Sequence, residues 1–432
     1  MVLLLSALVF LVAGRPTLTP DEGVYAFEAK QVSQGISLET LDAFKNRLVH
    51  IFSLSVFFSI LGPDLGVARL VIFLSTLACV ALVFLIARKF GTEKQAFFAA
   101  LFFALMPIVI TLSQGLLSEM PSTLFSLLAV WLFLQKGRKL AFLGGISAAI
   151  GFLIREQSIV LPFAFVLAVF VFRQDEGATG LWKRDWLKYI AFCFASIAVI
   201  GVWTFFFGFN YLESYLLNVE YVRNVAPSFI PGFVMIPFSL AVGGGAAVVL
   251  ALIALVFCKR DNVLWLWFIV SAAFMLVVPR VEVRYALTAL IPLAIIASGG
   301  AEWLWKKQKI ALVLLALLSI VGGWAMSSYW HTLNNPASFY ETADFIKQNG
   351  GAMVSQICFD YEALNYGLQI KCIENSSPQD FNQGAVFVEH SNHVVRPEWM
   401  ENCTFTEIFK KNDGWLVIKH SIGVYEVECA PA

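Results

Sequence analysis

Long apolar stretches alternate with short polar segments through the first three quarters of the chain. A bilayer core takes about 20 apolar residues per helix. On that measure the pattern predicts about eleven transmembrane helices, at 1–14, 67–87, 95–113, 119–135, 140–154, 157–172, 187–208, 233–257, 262–279, 285–304 and 310–329. The first run is short, yet no basic segment opens it and no small-residue cleavage site follows, so it reads as a membrane helix. Between the first two spans lies a long loop, 15–66, whose stretch Leu48 to Leu61 is apolar enough to lie along the interface as helix. After Asn334 the pattern changes. Residues 338–347 are helix-like, and MVSQICF, GAVFVEH and GWLVIKH read as short strands. The predicted fold class is a polytopic α-helical membrane protein, residues 1–330, followed by a small α/β domain at 334–432.

Charge gives this pattern a direction. Five clusters, Arg88/Lys89/Lys94, Lys136/Arg138/Lys139, Arg173/Lys183/Arg184/Lys188, Lys259/Arg260 and Lys306/Lys307/Lys309, hold half of the 30 Lys and Arg residues. Short loops rich in Lys and Arg remain cytoplasmic, and an odd number of spans puts the two ends on opposite sides. The N-terminus is therefore expected in the cytoplasm and the 334–432 domain outside, making it extracytoplasmic. The outer segments are then 15–66, 114–118, the turn at Arg155, 209–232, 279–284 and the residues after about 330. Composition agrees with a multi-pass membrane protein: 59% of residues are hydrophobic and 14% charged, against roughly half and a quarter in soluble domains. With zero formal net charge, the chain lacks the basic excess that a nucleic-acid partner requires.

The polar residues of the outer segments are the candidate chemistry. Thr19-Pro20-Asp21-Glu22 suits a helix start, with Pro at the first helical position and acids at the positive end of the dipole. A capped helix start is also a rigid platform for Asp21 as a general base or ligand to a divalent cation, Mg or Mn. Glu119 opens a span, where the helix dipole stabilises it and where it can serve as a second acid. Arg155, between two short apolar runs, either snorkels to head groups beside Glu156 or grips a phosphate. The segment 279–285 carries Arg280, Glu282, Arg284 and Tyr285 at the outer end of a span. It is either an interfacial anchor or an anion site facing the leaflet.

The terminal domain adds Cys358, Cys372, Cys403 and Cys429, an even number able to form disulfides in an oxidising compartment, and glycosylation sequons at Asn375 and Asn402. Three other features are set aside. Gly243-Gly244-Gly245 lies within an apolar span and suits close helix packing. The spacing of Glu389, His390 and His393 fits no standard zinc site. No Walker or dinucleotide-binding glycine motif occurs.

The motifs TPDEGVYAFEAKQVSQG (19–35), GPDLGVARL (62–70), GFLIREQS (151–158) and VEVRYALTALIPLA (281–294) resemble the GT-C membrane glycosyltransferases. The likeness runs toward protein O-mannosyltransferases and lipid A aminoarabinose transferases, over residues 1–330. The resemblance implies transfer of a sugar from a polyprenyl-phosphate carrier to a protein, lipid or glycan at the outer membrane face. It implies that Asp21 is base or metal ligand with Glu22 beside it, that Glu119 is a second acid, and that Arg155, Arg284 and Tyr285 lie near the carrier phosphate. Two departures stand out: KNRLVH (45–50) replaces the proline-rich stretch the family often carries in its first loop, and no DxD motif is present. Two other classes stay open, a secondary transporter or lipid flippase, which would place ionisable residues mid-span, and a membrane scaffold whose outer domain binds a partner.

Overall fold

In a computed structural model the described residues are 2–12, 20–35, 47–172, 186–207, 232–258, 261–276, 283–333, 336–348, 352–355, 369–372, 385–390, 400, 403–415 and 418–429. Helices come first and strands last. In chain order the helices are α1 (Val2–Val12), α2 (Pro20–Ser33), α3 (Leu48–Leu61), α4 (Leu65–Ala87), α5 (Glu93–Ala104), α6 (Pro107–Leu112), α7 (Glu119–Leu134), α8 (Arg138–Ile154), α9 (Val160–Phe172) and α10 (Trp186–Phe207). They continue with α11 (Gly232–Gly244), α12 (Ala246–Phe257), α13 (Asn262–Phe274), α14 (Leu287–Lys307), α15 (Lys309–Leu333) and α16 (Pro336–Gln348). The strands are β1 (Ala352–Ser355), β2 (Gln369–Cys372), β3 (Val386–His390), β4 (Cys403–Trp415) and β5 (Ile418–Cys429).

Among the described residues, four helices are long and apolar enough to cross a membrane: Leu65–Ala87, Trp186–Phe206, Val283–Lys307 and Lys309–Ser327. A fifth crossing arises if α11 and α12, bent by 103° at their junction, are taken as one broken span. The eleven apolar stretches read from the sequence are thus divided differently in space. The stretch 95–113 becomes α5 and α6, because Pro107 lacks an amide hydrogen and restricts the residue before it to extended backbone. The stretch 233–257 breaks at Gly245, whose φ of 53° lies in the left-handed region. There the amide of Ala246 donates to Ser319 Oγ at 3.0 Å, which satisfies a backbone group that the bend releases. Several other apolar helices, among them Leu48–Leu61, Glu119–Leu134 and Asn262–Phe274, are shorter than a full crossing.

The chain forms two units. One comprises Met1–Gly14, Ser37–Phe52 and Leu70–Ser327; the other comprises Arg15–Ile36, Ser53–Arg69 and Ser328–Ala432.

In the first unit, α8 packs on α7 and α10, α14 on α5 and α12, and α13 on α9. Small residues permit close approach: a methyl group added at Gly145 or Gly300 would strike the carbonyl of Phe192 or Leu250. Hydroxyl and indole groups bond across helices. Ser147 Oγ donates to the Phe125 carbonyl at 2.7 Å, Ser126 Oγ to that of Ser158 at 2.9 Å, and Trp267 Nε1 to that of Leu161 at 2.9 Å. Without such partners these groups would be stranded in an apolar interior. Elsewhere the surface is apolar, with Phe205, Ile310 and Val256 at least 70% exposed, as suits contact with lipid chains.

Among the described residues of the second unit, five strands form one sheet in the order β2-β1-β3-β5-β4. The β1 strand pairs in parallel with β2 and β3, while β5 pairs antiparallel with β3 and β4. One sheet face buries Met353, Val388 and Val424 with Ile346 of α16; the other buries Val354, Phe387 and Val427 with Met400. Alternation of inward residues along β1, Met353 one way and Val354 the other, is the period-two signature of a strand covered on both faces. Cys403 is disulfide-bonded and lies opposite Cys429 in the β4–β5 register.

Candidate functional site

Four helix starts in the first unit carry a cluster of buried charge. Glu119 is the first residue of α7 and is only 3% exposed. Its Oε1 lies 3.1 Å from Arg155 Nη1 and 3.5 Å from Arg284 Nε. The two guanidinium groups arrive from different places. Arg155 follows α8, where extended backbone (φ −157°, ψ 117°) ends the helix before the 3-10 turn Glu156–Ile159 that leads into α9. Arg284 sits in a second 3-10 turn, Val283–Ala286, directly before α14. Tyr285 is close to both: the guanidinium carbons of Arg155 and Arg284 each lie 5.6 Å from its ring centroid, within cation–π reach. Arg155 also donates to Ser118 Oγ at 3.2 Å.

A second ion pair lies alongside. Arg47, just before α3, forks onto Glu156, with Nη1 on Oε2 and Nη2 on Oε1, the latter at 3.1 Å. Both side chains are largely buried, at 8% and 18% exposure. One turn on, His50 Nε2 lies 3.0 Å from the Leu116 carbonyl. A carbonyl only accepts, so that nitrogen carries the proton. Hence α3 is fastened both to the α8–α9 turn and to the segment leading into α7. Gln114 extends the network by donating from Nε2 to the Phe10 carbonyl of α1 at 2.8 Å.

Electrostatics follow from the count. Arg47, Arg155 and Arg284 face Glu119 and Glu156, which leaves one positive charge in excess among these five side chains. The first turns of α3, α7 and α14 and the turn leading into α9 add the positive ends of helix dipoles. Planar guanidinium groups suit phosphate or carboxylate oxygens, so these three arginines are a candidate anion site. Among the described residues no three His, Cys, Asp or Glu side chains gather, and the Glu119 carboxylate is flanked by two like-charged repellents of a metal ion.

The structure thus brings together Glu119, Arg155, Arg284 and Tyr285. It places Asp21 and Glu22 in α2, in the other unit. Glu22 is buried, and the side chain of Asp21 lies outside the described residues. Arg280, Cys358, Asn375 and Asn402 also lie outside them, while Cys372 and Cys429 are described by backbone only. Arg47, His50 and Ser118 escaped sequence reasoning, and Glu156, expected as a partner of Arg155, pairs with Arg47 instead. The available signal was KNRLVH itself, a stretch that departs from the related first loops and holds a cation and an imidazole three residues apart.

Comparison with known proteins gives this arrangement a context. The family model for dolichyl-phosphate-mannose-protein mannosyltransferase matches residues 46–204, a span that includes Arg47, His50, Glu119 and Arg155. The crystal structure of ArnT from Cupriavidus metallidurans in the apo state aligns with a TM-score of 0.67 at 14% identity, over 98% of this chain and 97% of that one. The chain has the GT-C glycosyltransferase fold. The same ArnT bound to undecaprenyl phosphate aligns with a TM-score of 0.64 at 14% identity, over 98% of this chain and 97% of that one. The oligosaccharyltransferase of Archaeoglobus fulgidus, tethered with an acceptor peptide, aligns at 0.54 and 12% identity over 85% of this chain and 62% of that one. None of the curated proteins matches. The resemblance read from the sequence, to GT-C membrane glycosyltransferases, is matched by the family model and by the folds alike.

Proposed function

We propose that the protein is an inverting glycosyltransferase that moves a sugar from a polyprenyl-phosphate carrier to a protein, lipid or glycan acceptor at the outer membrane face. The observation that carries this reading is the convergence of Arg155 and Arg284 on one buried carboxylate. Two guanidinium groups at a positive membrane-protein site form the chemistry that holds a lipid phosphate as it departs. Support for the carrier comes from likeness: ArnT binds undecaprenyl phosphate, and the archaeal oligosaccharyltransferase AglB is found with an inhibitory peptide and a dolichol-phosphate.

In the reaction the acceptor oxygen attacks the anomeric carbon from the face opposite the phosphate. The bond from that carbon to the phosphate oxygen breaks, and its electron pair stays on phosphate. Arg155 and Arg284 stabilise the added charge, with Tyr285 holding both by their faces. Glu119 is the supporting acid. A general base takes the acceptor proton, and the sequence resemblance assigns this role to Asp21, with Glu22 as its neighbour. Arg280, in the same outer segment as Arg284, is assigned to the donor phosphate with it. A single displacement inverts the anomeric centre, and the phosphate needs no general acid to leave. The orientation that suits this chemistry puts the N-terminus in the cytoplasm and residues 334–432 outside.

The test is transfer from a radiolabelled polyprenyl-phosphate sugar by membranes carrying wild-type chain, Asp21→Asn, or Arg155→Met with Arg284→Met. Loss of transfer in both variants at equal expression is the expected result. Turnover equal to wild type in the double arginine variant would remove the phosphate clamp from the mechanism.

A further inference from the structure

We propose that Glu119 is an intramolecular competitor for the donor phosphate: it occupies the two guanidinium groups that the phosphate must take over. The inference rests on the reading of Arg155 and Arg284 as the phosphate clamp. It concerns what happens when the donor arrives.

Two features of the geometry support it. Both arginines address the same oxygen, Oε1, at 3.1 and 3.5 Å. Neither arginine makes a directed hydrogen bond to a Glu119 oxygen, although the side chain is only 4% exposed. A carboxylate that holds guanidinium groups by charge alone, without hydrogen bonds directed at them, is a weak holder of a fork-shaped donor. A phosphate offers the same two guanidinium groups more oxygens and more charge. The exchange therefore replaces one anion by a better one.

The arginines do not depend on Glu119 for their position. Tyr285 lies within 5.6 Å of both guanidinium carbons, and Arg155 has its own hydrogen bond to Ser118 Oγ. Without the carboxylate, two like charges would be held near one another by an aromatic ring and a hydroxyl. That arrangement attracts a phosphate more strongly. Once displaced, Glu119 is a carboxylate relieved of both cations beside the reacting groups. It can then accept a hydrogen bond from the acceptor hydroxyl, so donor binding comes before productive acceptor binding.

The experiment measures binding of undecaprenyl phosphate to the full-length chain in nanodiscs, with undecaprenol as the neutral control. Glu119→Gln removes the charge at nearly constant shape. It should bind the phosphate lipid about tenfold more tightly than wild type, a gain of ~1.4 kcal/mol, while sugar transfer falls. Glu119→Asp keeps the charge and should stay close to wild-type affinity. Undecaprenol binding should be the same in all three. Equal or weaker phosphate binding by Glu119→Gln would overturn the proposal, since a carboxylate that merely props the arginines gives that sign. The double variant Arg155→Met, Arg284→Met serves as the separate arm. If it binds undecaprenyl phosphate as wild type does, the clamp itself is wrong. If it loses binding while Glu119→Gln fails to gain, the clamp stands and the competition does not.

Discussion

The pair Arg47–Glu156 offers a sharp test of how the site is held. Both groups are largely buried, at 8% and 18% exposure, and the contact is two-pronged. Removing one partner leaves the other as a desolvated charge, which costs roughly 3–5 kcal/mol, whereas removing both costs far less than the sum. The residual exposure of Glu156 lets water reach it, so the lower figure, ~3 kcal/mol, applies to each single variant. At roughly 2 °C per kcal/mol for a large chain, Arg47→Met and Glu156→Gln should each lower the apparent melting temperature by about 6 °C. Together they should lower it by about 6 °C or less, where additive behaviour gives about 12 °C. The assay is thermal unfolding of the four proteins in one detergent at one scan rate, read as a double-mutant cycle. Additivity would refute the reasoning, because it would mean that the two side chains do not share one interaction. The single variants should also bind the donor lipid less well, since Arg155 neighbours Glu156 in the same turn.

Other outcomes follow from individual contacts. Gly300→Ala puts a methyl group against the Leu250 carbonyl; separation of α14 from α12 should cost about 1–3 kcal/mol, visible as a lower melting temperature. Trp267→Phe keeps the packing with Phe165, whose ring centroid lies 4.8 Å away, but removes the indole bond to the Leu161 carbonyl, which keeps its place in the helix ladder of α9; a loss of about 1 kcal/mol is expected, and a neutral result would show that the bond adds nothing to stability. Ser319→Ala removes the acceptor for the Ala246 amide at the broken span; it should destabilise by about 1 kcal/mol, and faster amide exchange at Ala246 is the direct readout. Arg155→Lys keeps charge but loses the planar fork, so transfer should fall at least about tenfold while expression holds.

Several parts of this protein were legible in its residues taken one after another. Hydropathy marked the apolar stretches because lipid imposes a composition on whole segments, whatever the neighbours in space. Short apolar runs marked β1 and β3 around MVSQICF and GAVFVEH, whereas GWLVIKH, read from the sequence as one strand, covers the end of β4 at Trp415 and the start of β5 at Ile418. Glu119, Arg155, Arg284 and Tyr285 could be singled out because an ionisable group at the end of an apolar run is costly and so invites a reason. Their meeting at one point was a different matter. Glu119 is separated from Arg284 by 165 positions in the chain, and only the packing of α7, α8 and α14 sets their side chains within 3.5 Å.

Where a span ends was also hidden, since hydropathy is blind to backbone geometry: the break at Gly245 depends on a positive φ and on Ser319 arriving from α15. The same holds for Arg47 and His50. Read locally they are a basic loop before an interfacial helix, an ordinary solvated segment. Folded, they are ligands of Glu156 and the Leu116 carbonyl. Composition and periodicity report what each segment needs from its surroundings, water or lipid. Which charged groups meet is set by long-range packing, because an ion pair's energy depends on a few ångströms of separation that no local pattern encodes.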